Sequence, residues 1–409
     1  MSDHRCRLCG SDDLVPILDL GRMPLANALL TTGQLAHPEP TYPLDLAFCE
    51  TCSLLQITHT VPPEQLFRDY LYFSSFSDSM LQHAREVAER MAAERHLDRT
   101  SLVIEIASND GYLLANYAAM GIPVLGIEPA RNIAETAIAR GVDTLCEFFG
   151  EPVGARLRAE GRQADAVHAN NVLAHVPDLH GFMAGLSAVL KPTGVAVIEV
   201  PYVKDMLDRT EFDTIYHEHL CYFSVTALHQ LTTRHALRLQ HVERLAIHGG
   251  SLRCFVTHAG AQPGPTAEVE ELLRQEADWG VKRRDPYETF ARSVQDVTRT
   301  LVDRLTQLKR EGKTLAAYGA AAKGSTLLNY ASLGPDVLEF VADRSPHKQG
   351  RFLPGVHVPI VGPEQLVLRR PDYVLLLTWN FADEILMQQD AYRRLGGRFI
   401  IPLPSLRVM

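Results

Sequence analysis

The chain has no long apolar run, few cysteines for its length and no excess of positive charge. None of its segments approaches the roughly 18 apolar residues of a membrane-spanning helix. The first residues, Met1-Ser-Asp-His-Arg-Cys6, contain no hydrophobic signal region. A net charge of −9 argues against nucleic-acid binding, which requires a basic surface. We therefore expect a soluble, cytoplasmic protein that binds neither membranes nor nucleic acids.

Four of the seven cysteines form two close pairs, Cys6-Arg-Leu-Cys9 and Cys49-Glu-Thr-Cys52. Two CxxC turns can offer four thiolates to one tetrahedral Zn²⁺, which makes a closed, structural site. The alternatives are a redox pair or unrelated core cysteines, but only Cys146, Cys221 and Cys254 follow in the rest of the chain. The pattern favours a zinc-binding module over residues 1–67, with extra strands or a loop between the pairs.

With 409 residues the chain is too long for one ordinary core. From Ser101 onward, buried-strand runs alternate with helices, which predicts a parallel, doubly wound sheet within a domain over 68–265. Residues 202–260 are less regular and rich in aromatics and histidines. A long polar helix at about 267–310 and a second alternation from Thr314 predict a smaller Rossmann-like domain over 266–409. The predicted fold class is α/β, and a chain with three domains of its own is expected to be a monomer.

Three predicted strand ends in the first sheet carry groups that suit a ligand: Glu105-Ile-Ala-Ser-Asn-Asp-Gly111, Glu128-Pro129 and Asn170-Asn171. Ligands of open α/β sheets bind at the carboxyl ends of the strands. The GxGxxG turn of dinucleotide enzymes is absent, which favours S-adenosylmethionine over a pyrophosphate cofactor; ordinary turn chemistry is the alternative. The predicted cofactor-binding residues are Glu105, Ala107, Asn109, Gly111, Glu128, Pro129, Asn170 and Asn171.

The segment Tyr216-His217-Glu218-His219, with Tyr222 close behind, is the most reactive stretch of the chain. Its spacing is not the HExxH of a helical metal site. A carboxylate can orient an imidazole and a tyrosine can donate to a developing oxyanion, so the segment favours proton abstraction next to a carbonyl. The alternative is that these are ordinary satisfied polar residues. A second cluster, His248-Gly-Gly-Ser-Leu-Arg253, either lines a phosphate or sugar or is a turn that enters a strand.

Taken together, these motifs make the sequence similar to the S-adenosylmethionine-dependent sugar C-methyltransferases of deoxysugar biosynthesis, which include the C-3′-methyltransferase of the tetronitrose pathway. The resemblance covers nearly the whole chain. It is carried by Cys6, Cys9, Cys49 and Cys52, by Tyr70-Leu-Tyr-Phe-Ser-Ser75, by Glu105 with Ser108-Asn-Asp-Gly111, by Tyr216-His-Glu-His219, by His248-Gly-Gly-Ser-Leu-Arg253 and by Tyr318-Gly-Ala-Ala-Ala-Lys-Gly-Ser-Thr326.

The resemblance implies that His219 is the catalytic base, with Glu218, Tyr216 and Tyr72 beside it. It also implies S-adenosylmethionine and zinc as cofactors and a nucleotide-linked keto sugar, typically dTDP-linked, as the substrate. The chain departs from the family at Ala107, where the methyl-donor turn usually has glycine. Because alanine is small, we expect this departure to be tolerated.

The turn from Tyr318 to Thr326 resembles a P-loop only superficially, since Lys323 precedes its glycine. It follows a predicted strand and precedes a helix, so backbone N–H groups and a lysine meet where a pyrophosphate could bind. We interpret it as the phosphate site of the nucleotide sugar rather than an ATPase site. Trp379-Asn380, at a later strand end, could also contact the nucleotide. The predicted substrate-binding residues are Tyr70, Ser74, His175, His217, Tyr222, His248, Ser251, Arg253, Tyr318, Lys323, Ser325, Asp343, Arg344 and Lys348.

The predicted function is methyl transfer to the ring carbon next to the ketone of a nucleotide-linked keto-deoxysugar, through an enolate made by the base. Two alternatives stay open at this point. One is a non-methylating epimerase of keto sugars that uses the same base, and the other is a nucleotide-sugar-binding protein without turnover.

Overall fold

The computed structural model describes residues 5–67, 74–76 and 78–409. Its strands are β1 (Leu14–Met23), β2 (Tyr42–Cys49), β3 (Leu55–Ile57), β4 (Val103–Ile106), β5 (Val124–Ile127), β6 (Thr144–Leu145), β7 (Ala164–Asn170), β8 (Leu190–Pro201), β9 (Cys221–Tyr222), β10 (Leu237–Leu245), β11 (Ser251–His258), β12 (Leu315–Tyr318), β13 (Val341–Ala342), β14 (Ile360–Val361), β15 (Tyr373–Leu376), β16 (Arg398–Ile401) and β17 (Arg407–Val408). Its helices are α1 (Pro63–Phe67), α2 (Asp78–Glu94), α3 (Leu114–Ala119), α4 (Arg131–Ala139), α5 (Glu151–Ala159), α6 (Leu179–Val189), α7 (Val203–Asp208), α8 (Val225–Thr233), α9 (Ala267–Trp279), α10 (Asp285–Arg310), α11 (Ala322–Tyr330), α12 (Glu364–Arg369), α13 (Ala382–Gln388) and α14 (Asp390–Arg394).

The N-terminal part forms an antiparallel sheet in the order β1-β2-β3-β9. Strands β1 and β2 lie between the two cysteine pairs, which confirms the extra strands expected there. The fourth strand, β9, comes from far along the chain and pairs with β3 through Leu55 and Tyr222. One strand of this sheet therefore comes from within the range predicted for the second domain and follows His219 directly.

The central sheet has seven strands in the order β10-β11-β8-β7-β4-β5-β6. Strands β4 to β8 pair in parallel, as predicted for a doubly wound sheet. Every residue of β4 is buried, as expected for a parallel strand covered by helices on both faces. The expectation of an irregular stretch at 202–260 was wrong, because β10 and β11 lie there and β11 runs antiparallel to β8. Strand β10 mixes apolar and polar residues, so its sequence lacks the continuous apolar pattern by which a buried strand is recognised.

The predicted helix over 267–310 is two helices, α9 and α10. Gly280 ends α9 in the left-handed conformation (φ 89°), which interrupts the helix at little cost only at glycine. Helix α10 then buries one apolar face along its length, which includes Tyr287, Val294 and Leu301.

The C-terminal sheet has six strands in the order β14-β13-β12-β15-β16-β17. Strands β12 to β16 pair in parallel and β17 is antiparallel. This confirms the second, smaller α/β unit that the sequence predicted.

Contacts join the three parts of the chain. Leu30, in the N-terminal part, exchanges two backbone hydrogen bonds with Phe352 (3.0 and 2.9 Å). In the buried junction of the central and C-terminal parts, Trp379 donates its Nε1–H to a carboxylate oxygen of Asp213 at 2.7 Å. Among residues 5–67, 74–76 and 78–409, no helix has both the length and the apolar character that crossing a bilayer requires.

Candidate active site

The two CxxC turns bring four thiols together. The Sγ atoms of Cys6, Cys9, Cys49 and Cys52 all lie within 4.8 Å of one another. Each pair is closed by a backbone hydrogen bond of 2.8 Å, from Gly10 to Cys6 and from Ser53 to Cys49. Four sulfurs at about 2.3 Å from one tetrahedral Zn²⁺ stand roughly 3.8 Å apart, so these residues fit a closed zinc site.

The turn after β4 has a tightly wound backbone. Ala107 (φ 54°), Asn109 (φ 49°) and Gly111 (φ 78°) are all in the left-handed region. The carboxylate of Glu128, at the end of β5, accepts hydrogen bonds from the backbone N–H groups of Asn109 and Ala130, both at 2.9 Å. The strand ends predicted to bind the cofactor therefore meet at one edge of the central sheet.

Buried carboxyl groups surround this turn. Glu105, Asp110 and Glu128 are at most 5% exposed, and burial, followed by the charges of Glu128 and Asp110, raises the pKa of Glu105 well above 4.5. Among the described residues, Glu105 Oε2, Asp110 Oδ1 and Asn170 Oδ1 have no hydrogen-bond partner. Buried acceptors without partners favour a ligand that carries positive charge and N–H or O–H donors. The sulfonium, ammonium and ribose hydroxyls of S-adenosylmethionine fit this set.

His219 is held by its own segment. Its Nδ1 lies 2.8 Å from the carbonyl oxygen of Thr214, and its Nε2 lies 2.9 Å from the hydroxyl of Tyr216. A carbonyl can only accept, so Nδ1 carries the proton of the neutral ring and Nε2 presents its lone pair. Two backbone contacts anchor this segment, from Leu220 to Ala174 near the end of β7 (2.8 Å) and from β9 to β3.

His175 and Tyr222 complete the surroundings of His219. The ring of His175 packs edge-on against His219 with 4.8 Å between centroids, and burial lowers the pKa of His175 to about 4. His175 is therefore neutral at physiological pH. The hydroxyl of Tyr222 donates to the carbonyl oxygen of Thr214 at 3.4 Å, and burial raises its pKa.

The other two side chains of the His-Glu-His motif point elsewhere. Glu218 Oε1 accepts a hydrogen bond from Asn27 Nδ2 at 2.6 Å. His217 Nε2 faces the carbonyl oxygens of Tyr42 and Pro43 at 3.3 and 3.2 Å, and burial lowers the pKa of His217 to about 4. His217, predicted to bind substrate, thus contacts the start of β2. A backbone carbonyl, and not the carboxylate of Glu218, contacts Nδ1 of His219.

The His-Gly-Gly-Ser-Leu-Arg cluster spans the start of β11. Gly250 accepts a backbone hydrogen bond from Tyr202, so this turn lies at the same sheet edge as the end of β8. Ser251 is buried and donates to the carbonyl oxygen of Ile247 at 3.2 Å. Arg253, predicted to bind substrate, is instead a buried residue of β11. Its Nε donates to Glu199 of the neighbouring strand β8 at 2.6 Å. Burial alone would raise the pKa of Glu199, but His83 and Arg253 bring it below its ordinary value.

In the C-terminal part, the turn after β12 is held by its own charged residues. Asp343 accepts from the backbone N–H of Ala320 at 2.7 Å, and Lys348 donates to the carbonyl of Ala320 at 2.8 Å. Arg344 is exposed. The side chains of Asp343 and Lys348 therefore hold the turn through the backbone of Ala320. The backbone at the start of α11 is not involved in these contacts.

Lys323 lies over the ring of Trp379, 4.9 Å from its centroid, and its ammonium has no hydrogen-bond partner among the described residues. The charge of Lys323 lowers the pKa of Glu211 and of Asp213, but burial outweighs it and raises the pKa of Glu211 to about 8. The ammonium of Lys323 thus lies near two buried carboxyl groups whose pKa values burial raises, and it bonds to neither of them.

A narrow crevice lies where the three parts of the chain meet. Its walls come from the N-terminal part, from the segment of His219 and from α11, and the lining residues are Met23, Pro24, Ala26, Leu44, Tyr216, His217, Ser325, Thr326 and Asn329. The predicted Tyr216 and Ser325 thus face the same space. Tyr318 is not among these lining residues, and its hydroxyl lies 3.4 Å from Gln389 Nε2.

Ser74 has a different neighbour from the one predicted, and some of the predicted site residues fall outside the described part of the chain. The backbone N–H of Ser74, predicted to bind substrate, donates to the side chain of Asn109 at 2.9 Å, which places Ser74 at the turn after β4. Tyr70 and Tyr72 lie outside the described residues, and so does the side chain of His248.

The sequence reasoning missed Asn27 and Thr214. Asn27 is the one polar residue in the apolar stretch Met23-Pro-Leu-Ala-Asn-Ala-Leu-Leu30, and this isolation was a usable signal. Thr214 acts through its backbone carbonyl, which no residue type reveals.

Comparison with known proteins agrees with this arrangement. Residues 6–67 match the model of a zinc binding domain family, residues 79–242 that of a methyltransferase domain, and residues 246–404 that of the C-methyltransferase C-terminal domain. The chain is 38% identical over 404 residues to C-methyltransferase NovU of Streptomyces niveus, covering 99% of this chain and 96% of NovU.

The structural similarities are more distant. The CcbJ methyltransferase of Streptomyces caelestis is 14% identical with a TM-score of 0.33, over 43% of this chain and 90% of CcbJ. The PH0226 protein of Pyrococcus horikoshii OT3 is 11% identical with a TM-score of 0.36, over 49% of this chain and 100% of its own. The argument for identity therefore rests on the NovU alignment and the three domain matches. The chain belongs to the S-adenosylmethionine-dependent C-methyltransferases, with S-adenosylmethionine and zinc as its cofactors.

Proposed function

We propose that this enzyme methylates the ring carbon next to the ketone of a nucleotide-linked keto-deoxysugar, with dTDP as the nucleotide. The observation that carries the proposal is the pair of contacts made by His219: Nδ1 lies 2.8 Å from the carbonyl oxygen of Thr214, and Nε2 lies 2.9 Å from the hydroxyl of Tyr216. A neutral imidazole of defined tautomer next to a hydroxyl donor can remove an acidic C–H proton.

In the proposed reaction, the substrate displaces Tyr216 from the Nε2 atom of His219. Nε2 then takes the proton from the carbon next to the ketone, and the C–H electrons move onto the carbonyl oxygen to give an enolate. The hydroxyl of Tyr216 is within reach of this oxyanion and donates to it. The Thr214 carbonyl continues to accept from Nδ1–H and stabilises the imidazolium.

The cofactor would be held by Glu105, the turn from Ala107 to Gly111, Glu128 and Asn170, all at the carboxyl edge of the central sheet. When bound, S-adenosylmethionine supplies an electrophilic methyl group that the nucleophilic enolate carbon accepts. Its acidic surroundings favour the cationic cofactor over the neutral S-adenosylhomocysteine product, which helps the product to leave.

Two observations support a nucleotide sugar as the acceptor. Ser325 and Thr326 of α11 line the same narrow crevice as Tyr216, so α11 and the segment of His219 lie against each other. The start of α11 presents backbone N–H groups, which suit a pyrophosphate. The ammonium of Lys323, without a hydrogen-bond partner among the described residues, would add a positive charge to this contact.

The test is incubation of the purified enzyme with S-adenosylmethionine and dTDP-, UDP- and GDP-linked 4-keto sugars in deuterated water, followed by mass spectrometry. The proposal predicts that the dTDP sugar gains one methyl group in step with S-adenosylhomocysteine. Deuterium uptake without methylation would favour an epimerase instead. Methylation of only the UDP or GDP sugars would contradict the assignment of dTDP.

A further inference from the structure

The zinc-binding module contributes a side chain to the segment that carries the base. Asn27, in the loop after β1, donates its Nδ2–H to Glu218 Oε1 at 2.6 Å. Glu218 is only 3% exposed and directly precedes His219. We propose that Asn27 is a positioning residue for methyl transfer, which acts by fixing the carboxylate of Glu218. This inference rests on the proposed role of His219 as the base.

The contact is one of several between the module and this segment. His217, on the other side of Glu218, faces the carbonyl oxygens at the start of β2, and β9 pairs with β3 just after His219. The loop of Asn27 also reaches the candidate acceptor space, because its Pro24 and Ala26 line the crevice beside Tyr216. The module therefore contacts the segment at three points. At one of them, the side chain of Asn27 binds the carboxylate of Glu218, the residue before His219.

The chemistry of an amide suits this position. A buried carboxylate needs hydrogen-bond donors, and a neutral donor satisfies it without cancelling its charge. The bond from Asn27 therefore fixes the buried side chain of the residue next to His219, and through the shared backbone it fixes the position of the imidazole. A lysine at position 27 would cancel the charge of Glu218, and an aspartate would repel it.

The test compares Asn27→Ala and Asn27→Asp with the control Gln34→Ala, an exposed residue of the same module whose side chain bonds only to Thr31 among the contacts described. The measured quantities are zinc content, the Kd for S-adenosylmethionine, kcat, KM and the isotope effect for substrate deuterated next to the ketone. We expect unchanged zinc and cofactor binding in all three. In Asn27→Ala, kcat should fall about ten- to hundredfold, the loss typical of a hydrogen bond to a charged group, with little change in KM and a larger isotope effect. Asn27→Asp should lose more.

Two kinetic results would each overturn the inference. One is a kcat for Asn27→Ala equal to that of Gln34→Ala, and the other is a loss that follows zinc content. The ¹⁵N shifts of the His219 imidazole give a readout that needs no substrate, and they should change in Asn27→Ala and not in the control. Unchanged shifts would refute the positioning role whatever the acceptor is, whereas a wild-type enzyme that methylates no keto sugar would refute only the proposed function.

Discussion

The Nδ1–H of His219 donates to the backbone carbonyl of Thr214 at 2.8 Å, and this bond leaves Nε2 as the nitrogen that would act as the proposed base. Because Thr214 lies in the 3-10 turn Phe212–Thr214, the orienting group is part of the local fold and cannot titrate. Nε2 is left to accept from Tyr216 at 2.9 Å. The neutral tautomer therefore persists wherever the ring is unprotonated.

Substitution of His219 by asparagine should abolish methyl transfer and deuterium exchange into the substrate. Asparagine keeps the polarity of the site but has no basic nitrogen, so a loss of at least about a hundredfold in kcat is expected. Binding of S-adenosylmethionine, measured by calorimetry, should be unchanged. His229→Asn, at an exposed histidine of α8, is the matched control and should retain activity. Near-normal turnover by His219→Asn would exclude it as the base.

Replacement of Glu105 by glutamine should weaken binding of S-adenosylmethionine by about ten- to hundredfold, because a charged acceptor for the cofactor is lost. The effect on the ligand-free protein has the opposite sign. Burial raises the pKa of Glu105 above 4.5, so the folded state holds this proton more tightly than the unfolded state does. Its contribution to stability is therefore lost as pH rises from about 4.5 toward the raised value.

Glu105→Gln should consequently gain stability over the wild type as pH rises through this range. Denaturant unfolding of the ligand-free proteins at several pH values measures the difference. Glu135→Gln, at an exposed position of α4, serves as the control. A constant difference between Glu105→Gln and the wild type across the range would contradict the raised pKa.

Ala107→Gly should tighten binding of S-adenosylmethionine several-fold. Alanine at φ 54° is strained, and its Cβ belongs to the turn that the proposed cofactor site would use. Stability should change by less than about 1 kcal/mol, because the relief of strain is offset by the greater entropy of glycine in the unfolded chain. Ala236 has nearly the same φ (53°) on an exposed loop between α8 and β10, so Ala236→Gly reproduces the backbone change alone. Equal cofactor affinities in both variants would rule out a specific effect of the Cβ of Ala107.

Loss of zinc should impair catalysis more than cofactor binding. The cysteine cluster stabilises a sheet that includes β9, two residues beyond His219, while the cofactor turn belongs to the central sheet. Cys49→Ser should lower the zinc content and the melting temperature, reduce kcat strongly and change the Kd for S-adenosylmethionine by only a few-fold. The exposed Cys146 provides the control Cys146→Ser, which should behave like the wild type. Full activity in a zinc-free Cys49→Ser protein would show that the module is dispensable.

The sequence alone determined the parts of this protein that depend on local pattern. Residue type and spacing were sufficient for the four cysteines, for the strands β4, β5, β7 and β8 and for the second α/β unit, because CxxC turns and buried strands are specified within a few residues. The turn after β4 was also recognised by its residues, and its binding of the cofactor stays a prediction. The family resemblance followed from these motifs and was confirmed by the match to NovU.

Only the tertiary structure determined which contacts each of the reactive residues makes. Glu218 and His219 are neighbours in sequence, yet one contacts Asn27 of the zinc-binding module and the other contacts Thr214. Arg253 carries a suitable charge, but its position within β11 places it beside Glu199 inside the sheet. A side chain's partner depends on which distant segment folds against it, and backbone carbonyls are the same for every residue type. For that reason the sequence could name the candidate groups, whereas the fold assigned their contacts.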